Sequence, residues 1–308
     1  MKHSINITAG FFLALLLAPF SLQAQSDNDQ KFGPWVWGVQ GGAVQQFETD
    51  MSNKDGAFSV SRYFIQPSVG YAWDRRNSVS LSFGVGESNY DFSSDARIEG
   101  LEPWDRIREY QLSLPIRFST GENSNAIIIP SVRINAESGA DLSDGRTEGV
   151  LAGLSWKLSD TLTIGPGFGW FSELGGGSSA FPIIVVDWDI TEKLALTTGP
   201  GLASSRGPGL GLNYALRDKW TLGLSARYEK VRFALDDEDS SKGSFGEDKS
   251  LPLVFSVKHS PWPMTSLSAF VSSDFAGDLT LEDSKTRELA SSEYDTAFSL
   301  GLVFSSRF

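Results

Sequence analysis

Apolar and polar residues alternate with a period of two along most of this chain, and the clearest case closes it. Phe298, Leu300, Leu302 and Phe304 share one parity, and the chain stops on Phe308 in the same parity. Ser299, Gly301, Val303, Ser305 and Arg307 take the other, which is polar apart from Val303. Alternation over this length predicts a β-strand with an apolar environment on one face and a polar one on the other.

From Trp35 onward the same pattern predicts fourteen strands. Tyr110, Leu112, Leu114, Ile116 and Phe118 form one of the sharpest sets, and Leu251, Leu253, Phe255 and Val257 another. No apolar run of helical period competes over a comparable length. The connections sort by length. Residues 74–77, 119–125, 159–161, 191–193, 217–219 and 260–265 read as tight turns. Residues 48–57, 88–107, 138–147, 173–180, 231–249 and 277–294 read as longer loops, and 203–206 is a short exception. Tight turns at one rim and long loops at the other are expected of a membrane barrel whose turns face the periplasm. An even strand number puts both ends of the barrel on that side.

Tryptophan supplies a separate line of argument. Trp35, Trp37, Trp73, Trp156, Trp188, Trp220 and Trp262 fall at or near the tight-turn rim, and Trp104 and Trp170 toward the other. Indole suits a membrane interface, because its ring meets acyl chains while its N–H reaches water. Prolines at 67, 115, 130, 166, 182, 200, 208 and 252 interrupt the expected ladder, since each lacks a backbone donor. They leave twelve strands as the alternative count. The triplet Gly-Pro-Gly recurs at 165–167, 199–201 and 207–209, with glycine on the inward parity. It reads as bulge chemistry or as a wall cleared of side chains.

Composition narrows the compartment. Residues 1–24 read as a secretory signal peptide: Lys2 is the positive end, Phe11 to Leu17 the apolar core, and Leu22-Gln23-Ala24 the cleavage site. Residues 25–34 form a short polar lead-in, and 35–308 the barrel. The chain has no cysteine, which excludes a disulfide framework and thiolate chemistry. Cleavage after Ala24 leaves 25 basic and 38 acidic side chains, a net charge of −13. Such a balance disfavours nucleic acid, whose phosphates require a basic surface.

These features together resemble those of a porin-like Gram-negative outer-membrane β-barrel protein of an uncharacterised family, over residues 35–308. The resemblance rests on the export signal, the closing strand, the loop asymmetry and the Trp rim. It implies an all-β, antiparallel up-and-down transmembrane barrel in the bacterial outer membrane, in contact with its lipid and lipopolysaccharide. It also implies that Phe298, Leu300, Gly301, Leu302, Phe304 and Phe308 form the signal read by the barrel-assembly machinery. Ser306 departs from the usual form of that signal, where an apolar residue is commoner.

The inward parity carries the candidate chemistry. Arg62, Glu109, Arg117, Arg133, Asp187, Asp189, Arg227, Glu229 and Arg307 are expected to line the lumen, since facing them to lipid costs roughly 2–4 kcal/mol for a basic group at midplane. A mixed-sign lining fits a water-filled pore for small hydrophilic solutes. It fits equally an internal salt-bridge network in a filled barrel that acts through its acidic surface loops. The volume enclosed by fourteen strands favours the pore. An enzyme is the weakest reading. His259, the one histidine left after processing, falls at the tight-turn rim and reads as an interfacial aromatic. Asp187 and Asp189 are expected to pair with lumen Arg or Lys. Residues 236–243 only superficially resemble a calcium loop, because the glycine is displaced. No cofactor and no metal is expected.

Overall fold

The computed structural model describes residues 34–52, 56–198, 209–236 and 243–308. The expected signal peptide, nearly all of the lead-in, two of the eight prolines (Pro200 and Pro208) and most of the calcium-like loop lie outside the described residues. Seventeen β segments form one sheet. They are β1 (Trp35–Asp50), β2 (Ala57–Ala72), β3 (Ser78–Phe92), β4 (Arg106–Ser113), β5 (Ile116–Gly121), β6 (Ser124–Glu137), β7 (Arg146–Lys157), β8 (Leu162–Ser172) and β9 (Ser178–Asp189). The remainder are β10 (Leu194–Thr198), β11 (Gly209–Arg217), β12 (Trp220–Arg227), β13 (Glu229–Ala234), β14 (Phe245–Trp262), β15 (Thr265–Glu282), β16 (Glu288–Tyr294) and β17 (Ala297–Arg307).

Three of the wall strands are broken in two: β4 with β5, β12 with β13, and β16 with β17. Seventeen segments therefore make fourteen wall strands, the number predicted from the sequence. Neighbours along the wall pair antiparallel, and β17 pairs with β1 to close the ring. The carboxy terminus locks into that seam. Phe308 N–H donates to Trp37 O at 2.9 Å, and Trp37 N–H donates to Phe308 O at 2.8 Å. Closure leaves no unpaired edge facing lipid at this seam, as a membrane-spanning sheet requires.

The outward parity is the expected belt. Leu267, Val271, Leu300, Leu302, Phe298 and Phe304 all stand exposed on the outer surface. Trp35, Trp37, Trp73, Trp156, Trp188 and Trp262 are exposed at the tight-turn rim. Trp220 meets His259 there at 4.4 Å between ring centroids, so His259 is an interfacial aromatic. The prolines are absorbed at low cost. Pro67, Pro130, Pro166, Pro182 and Pro252 stay within strands, and only Pro115 coincides with a break, between β4 and β5.

The other rim corrects the sequence reading. Residues 231–249 and 277–294 were expected to be long loops; most of each is tall hairpin. β14 and β15 have 18 residues each. At about 3.3 Å per residue and a tilt near 40°, such a strand stands roughly 45 Å high, well above an apolar band of about 25 Å. The excess folds inward. A bulge makes this possible: β15 carries one residue more than β14 between the pairs Lys249↔Asp278 and Leu251↔Phe275. Ala276 takes φ 51° there. The extra residue switches parity, so that Asp274 below it and Leu279 and Leu281 above it all face inward.

The result is an apolar core inside the extracellular end. Phe58 and Val60 of β2, Tyr90 of β3, Ile107 of β4, Val231 and Phe233 of β13, Leu279 and Leu281 of β15 and Tyr294 of β16 pack together. Trp104 is 1% exposed at its centre, 4.8 Å from the Phe233 ring, so it belongs to this core and not to an outer aromatic belt. Its loop, residues 93–105, turns into the mouth because Ile98, Trp104 and Ile107 find apolar partners there.

Candidate functional site: the charged interior

β13 and the upper part of β14 stand across the mouth as a partition. β13 bridges to β6, the fifth wall strand, although it continues the eleventh: Ala234 pairs with Ala136. Asn135 Nδ2 donates to Arg232 O at 3.2 Å, and the Asp236 N–H donates to Glu137 Oε2 at 3.0 Å. Glu137 Oε1 also accepts from the Asp105 N–H at 3.0 Å, so one carboxylate holds both the partition and the inturned loop.

Alternation gives the partition two unlike faces. Val231 and Phe233 look into the apolar core. Lys230, Arg232 and Glu247 form the other face, where Lys230 Nζ lies 2.8 Å from Glu247 Oε2 and Arg232 also pairs with Glu282. Ala234 and Phe245 continue that face as a small apolar contact with Ala136 and Leu174.

Beneath the core sits a buried polar cluster. Arg62 Nη2 lies 3.2 Å from Asp248 Oδ2, which accepts the Tyr90 hydroxyl at 2.8 Å; Asp248 Oδ1 accepts the Tyr294 hydroxyl at 3.0 Å. Arg227 pairs with Glu229 at 3.1 Å. Arg62, Asp248, Tyr294, Arg227 and Glu229, with Gln46, Asp274 and Ser299, line a small pocket. Tyr90, Tyr294, Asp248 and Asp274 were not singled out from the sequence. Their signal was there: Tyr90 and Asp248 keep the inward parity of β3 and β14, in segments read as solvated loops, and Asp274 keeps that of β15 below the bulge.

The predicted lumen residues therefore divide. Arg62, Arg227 and Glu229 meet at this pocket. Glu109 and Arg133 line a second one with Arg62, and Glu109 accepts the Ser88 hydroxyl at 2.9 Å. Arg117 and Arg307 lie near the tight-turn end, close enough to repel each other. Asp187 and Asp189 lie near that end on β9, and neither forms a salt bridge among the described residues. The expected pairing with lumen Arg or Lys is not made among the described residues, where Asp187 instead feels the like charge of Asp189. On the β6–β9 wall the interior is apolar, with Ile129, Leu151, Phe171 and Phe181 packed together. Glycines clear this wall: a Cβ on Gly169 would strike the Phe181 ring, and one on Gly149 the Phe171 ring.

A closed sheet with an apolar exterior belt, an aromatic rim and charged groups inside is a transmembrane β-barrel. The comparisons agree at the level of fold. No protein-family model matches the chain, and no curated protein matches it. Among solved structures it is similar to an outer membrane channel from Pseudomonas putida F1, at 12% identity and a TM-score of 0.52, over 92% of this chain and 100% of that one. It is more distantly similar to the P. putida toluene transporter TodX, at 10% identity and a TM-score of 0.44, over 89% and 90%. A Pseudomonas aeruginosa FadL homologue gives 12% identity and a TM-score of 0.40, over 89% and 88%. The first likeness carries the fold; the chain is a bacterial outer-membrane β-barrel.

Proposed function

We propose that this barrel is a gated channel for small hydrophilic solutes. Its extracellular end is closed by its own hairpins, and its charged interior faces the periplasm. The observation that carries the reading is the two-faced partition. An apolar core alone would fill the mouth for good. Here one side of the obstruction is a row of ion pairs that can exchange partners with water or solute. The belt meets outer-membrane lipid and lipopolysaccharide, and the closing strand is what the assembly machinery reads. The reading assigns no catalysis to the barrel.

The chain has no cysteine, so the gate can be locked cleanly. Ala136 and Ala234 are directly paired across the mouth. An A136C/A234C disulfide should hold the partition on β6. In planar bilayers the oxidised protein is expected to show no conductance steps, and the reduced protein to show them. Correctly folded protein that never conducts, reduced or wild type, would sink the channel. Equal conductance in both redox states would sink the gate.

A second reading draws on the packing of the mouth. Phe233, Leu279 and Leu281 are fully buried, as in a soluble core. That favours a permanently filled barrel with a structural or adhesive role through its surface loops. The locked-and-reduced pair separates the two.

A further inference from the structure

Arg133 stands on the inward face of β6, 7% exposed, and its side chain makes no salt bridge or hydrogen bond among the described residues. Its Nε and Nη2 are both buried without a partner. These two nitrogens share the edge of the guanidinium that grips an oxyanion through two parallel hydrogen bonds. A buried carboxylate can relieve itself by taking a proton, but a guanidinium keeps its charge at any ordinary pH. No carboxylate among the described residues forms a salt bridge with Arg133.

Its surroundings repeat the demand. Arg133 lines a pocket with Gln66, Gly84, Gln111, Asn135 and Glu109, whose carboxylate accepts the Ser88 hydroxyl at 2.9 Å. Gln66 Nε2 is also buried without an acceptor, whereas Gln111 Nε2 is spent on Ser113 Oγ at 2.9 Å. Buried unmatched donors thus gather on this pocket, and none of the buried unmatched acceptors lies on it. Gly84 leaves room on the same wall, across Gln111 from Arg133, since a Cβ there would meet nothing nearer than 3.7 Å. Ordered water could satisfy the donors but would leave the guanidinium without a directly bound counter-charge.

We infer that Arg133, assisted by Gln66, binds a small oxyanion, a carboxylate or phosphate group, inside the barrel. The inference deepens the channel reading by naming its solute class: anionic, in a chain that is itself strongly acidic. Its binding chemistry can be measured without any flux.

The test uses the refolded, detergent-solubilised barrel and thermal midpoints at matched ionic strength in sodium acetate, sodium phosphate and sodium chloride. Acetate or phosphate is expected to raise the midpoint in a saturable way, with chloride at least tenfold less effective. R133M should fold, retain or exceed the wild-type midpoint without anion, and lose the response. Q66L should weaken it about tenfold, and it decides the matter if R133M fails to fold. Chloride acting as well as acetate overturns the oxyanion class. A response unchanged in R133M, or in Q66L where R133M does not fold, overturns the site. So does an R133M variant that folds poorly while wild type shows no anion dependence, because Arg133 is then structural. If the anion response holds while the bilayer recordings stay silent, the site stands and the channel falls.

Discussion

Replacing Arg62 by methionine tests the polar cluster that underlies the mouth. Methionine keeps most of the length and removes the charge. Asp248 is only 4% exposed, and its salt bridge to Arg62 spans 3.2 Å. With charge centres about 4 Å apart and an effective dielectric constant of 20, the attraction is about 4 kcal/mol. Breaking a buried pair by removing one partner typically costs 3–5 kcal/mol, because the other charge is stranded. The Tyr90 and Tyr294 hydroxyls still donate to the carboxylate and offset part of this, so about 3 kcal/mol is expected for R62M. Changing Asp248 to asparagine in the same protein removes the stranded charge. R62M/D248N should therefore be more stable than R62M by about 1–2 kcal/mol. Urea unfolding in detergent, followed by near-ultraviolet circular dichroism, reads the loss, since the tyrosines and Trp104 lie beside the pair. A loss below about 1 kcal/mol in R62M, or no recovery in the double variant, would show that the pair is not what fastens the mouth.

Other outcomes follow from particular contacts. Deleting Phe308, which is exposed, should lower assembly yield in cells far more than the stability of barrel refolded in detergent; equal effects on both would contradict a recognition role. Changing Gly149 to valine drives a branched side chain into the Phe171 ring and should cost about 1–3 kcal/mol, read by the unfolding midpoint. The Asp283 carboxyl is pulled down to about 2 by the Arg287 side chain, then by the Arg287 and Lys285 amides. Its folded value lies below its unfolded one of about 3.9, so its contribution is complete above pH 4 and fades as pH falls through 2. Protection of the Arg287 amide, taken relative to its intrinsic exchange rate at each pH, should fall over that window, and in D283N it should be low and flat across it.

The wall was legible because lipid enforces strict alternation. Each outward set is dominated by apolar residues, such as Leu251, Leu253, Phe255 and Val257, and the closing strand carries Phe298, Leu300, Leu302 and Phe304 on the same face. The mouth was not legible, because above the membrane nothing enforces parity. One αL residue at Ala276 reverses which face of β15 looks inward, and no local residue pattern announces it. Asp248 and Glu247 therefore looked like solvated loop acids, although both are buried and paired. Arg133 stands on the inward face of β6, buried in the wall. Its lack of a partner depends on what β4 and β2 present opposite, which only tertiary pairing decides.

The protruding crown has a thermodynamic consequence of its own. It is held by water-driven burial of apolar groups, whereas the girdle below it is held by ladder hydrogen bonds in lipid. Heating or chaotrope should therefore melt the summit first, with the heat-capacity step of a soluble domain, and leave behind a shortened cylinder open at both ends.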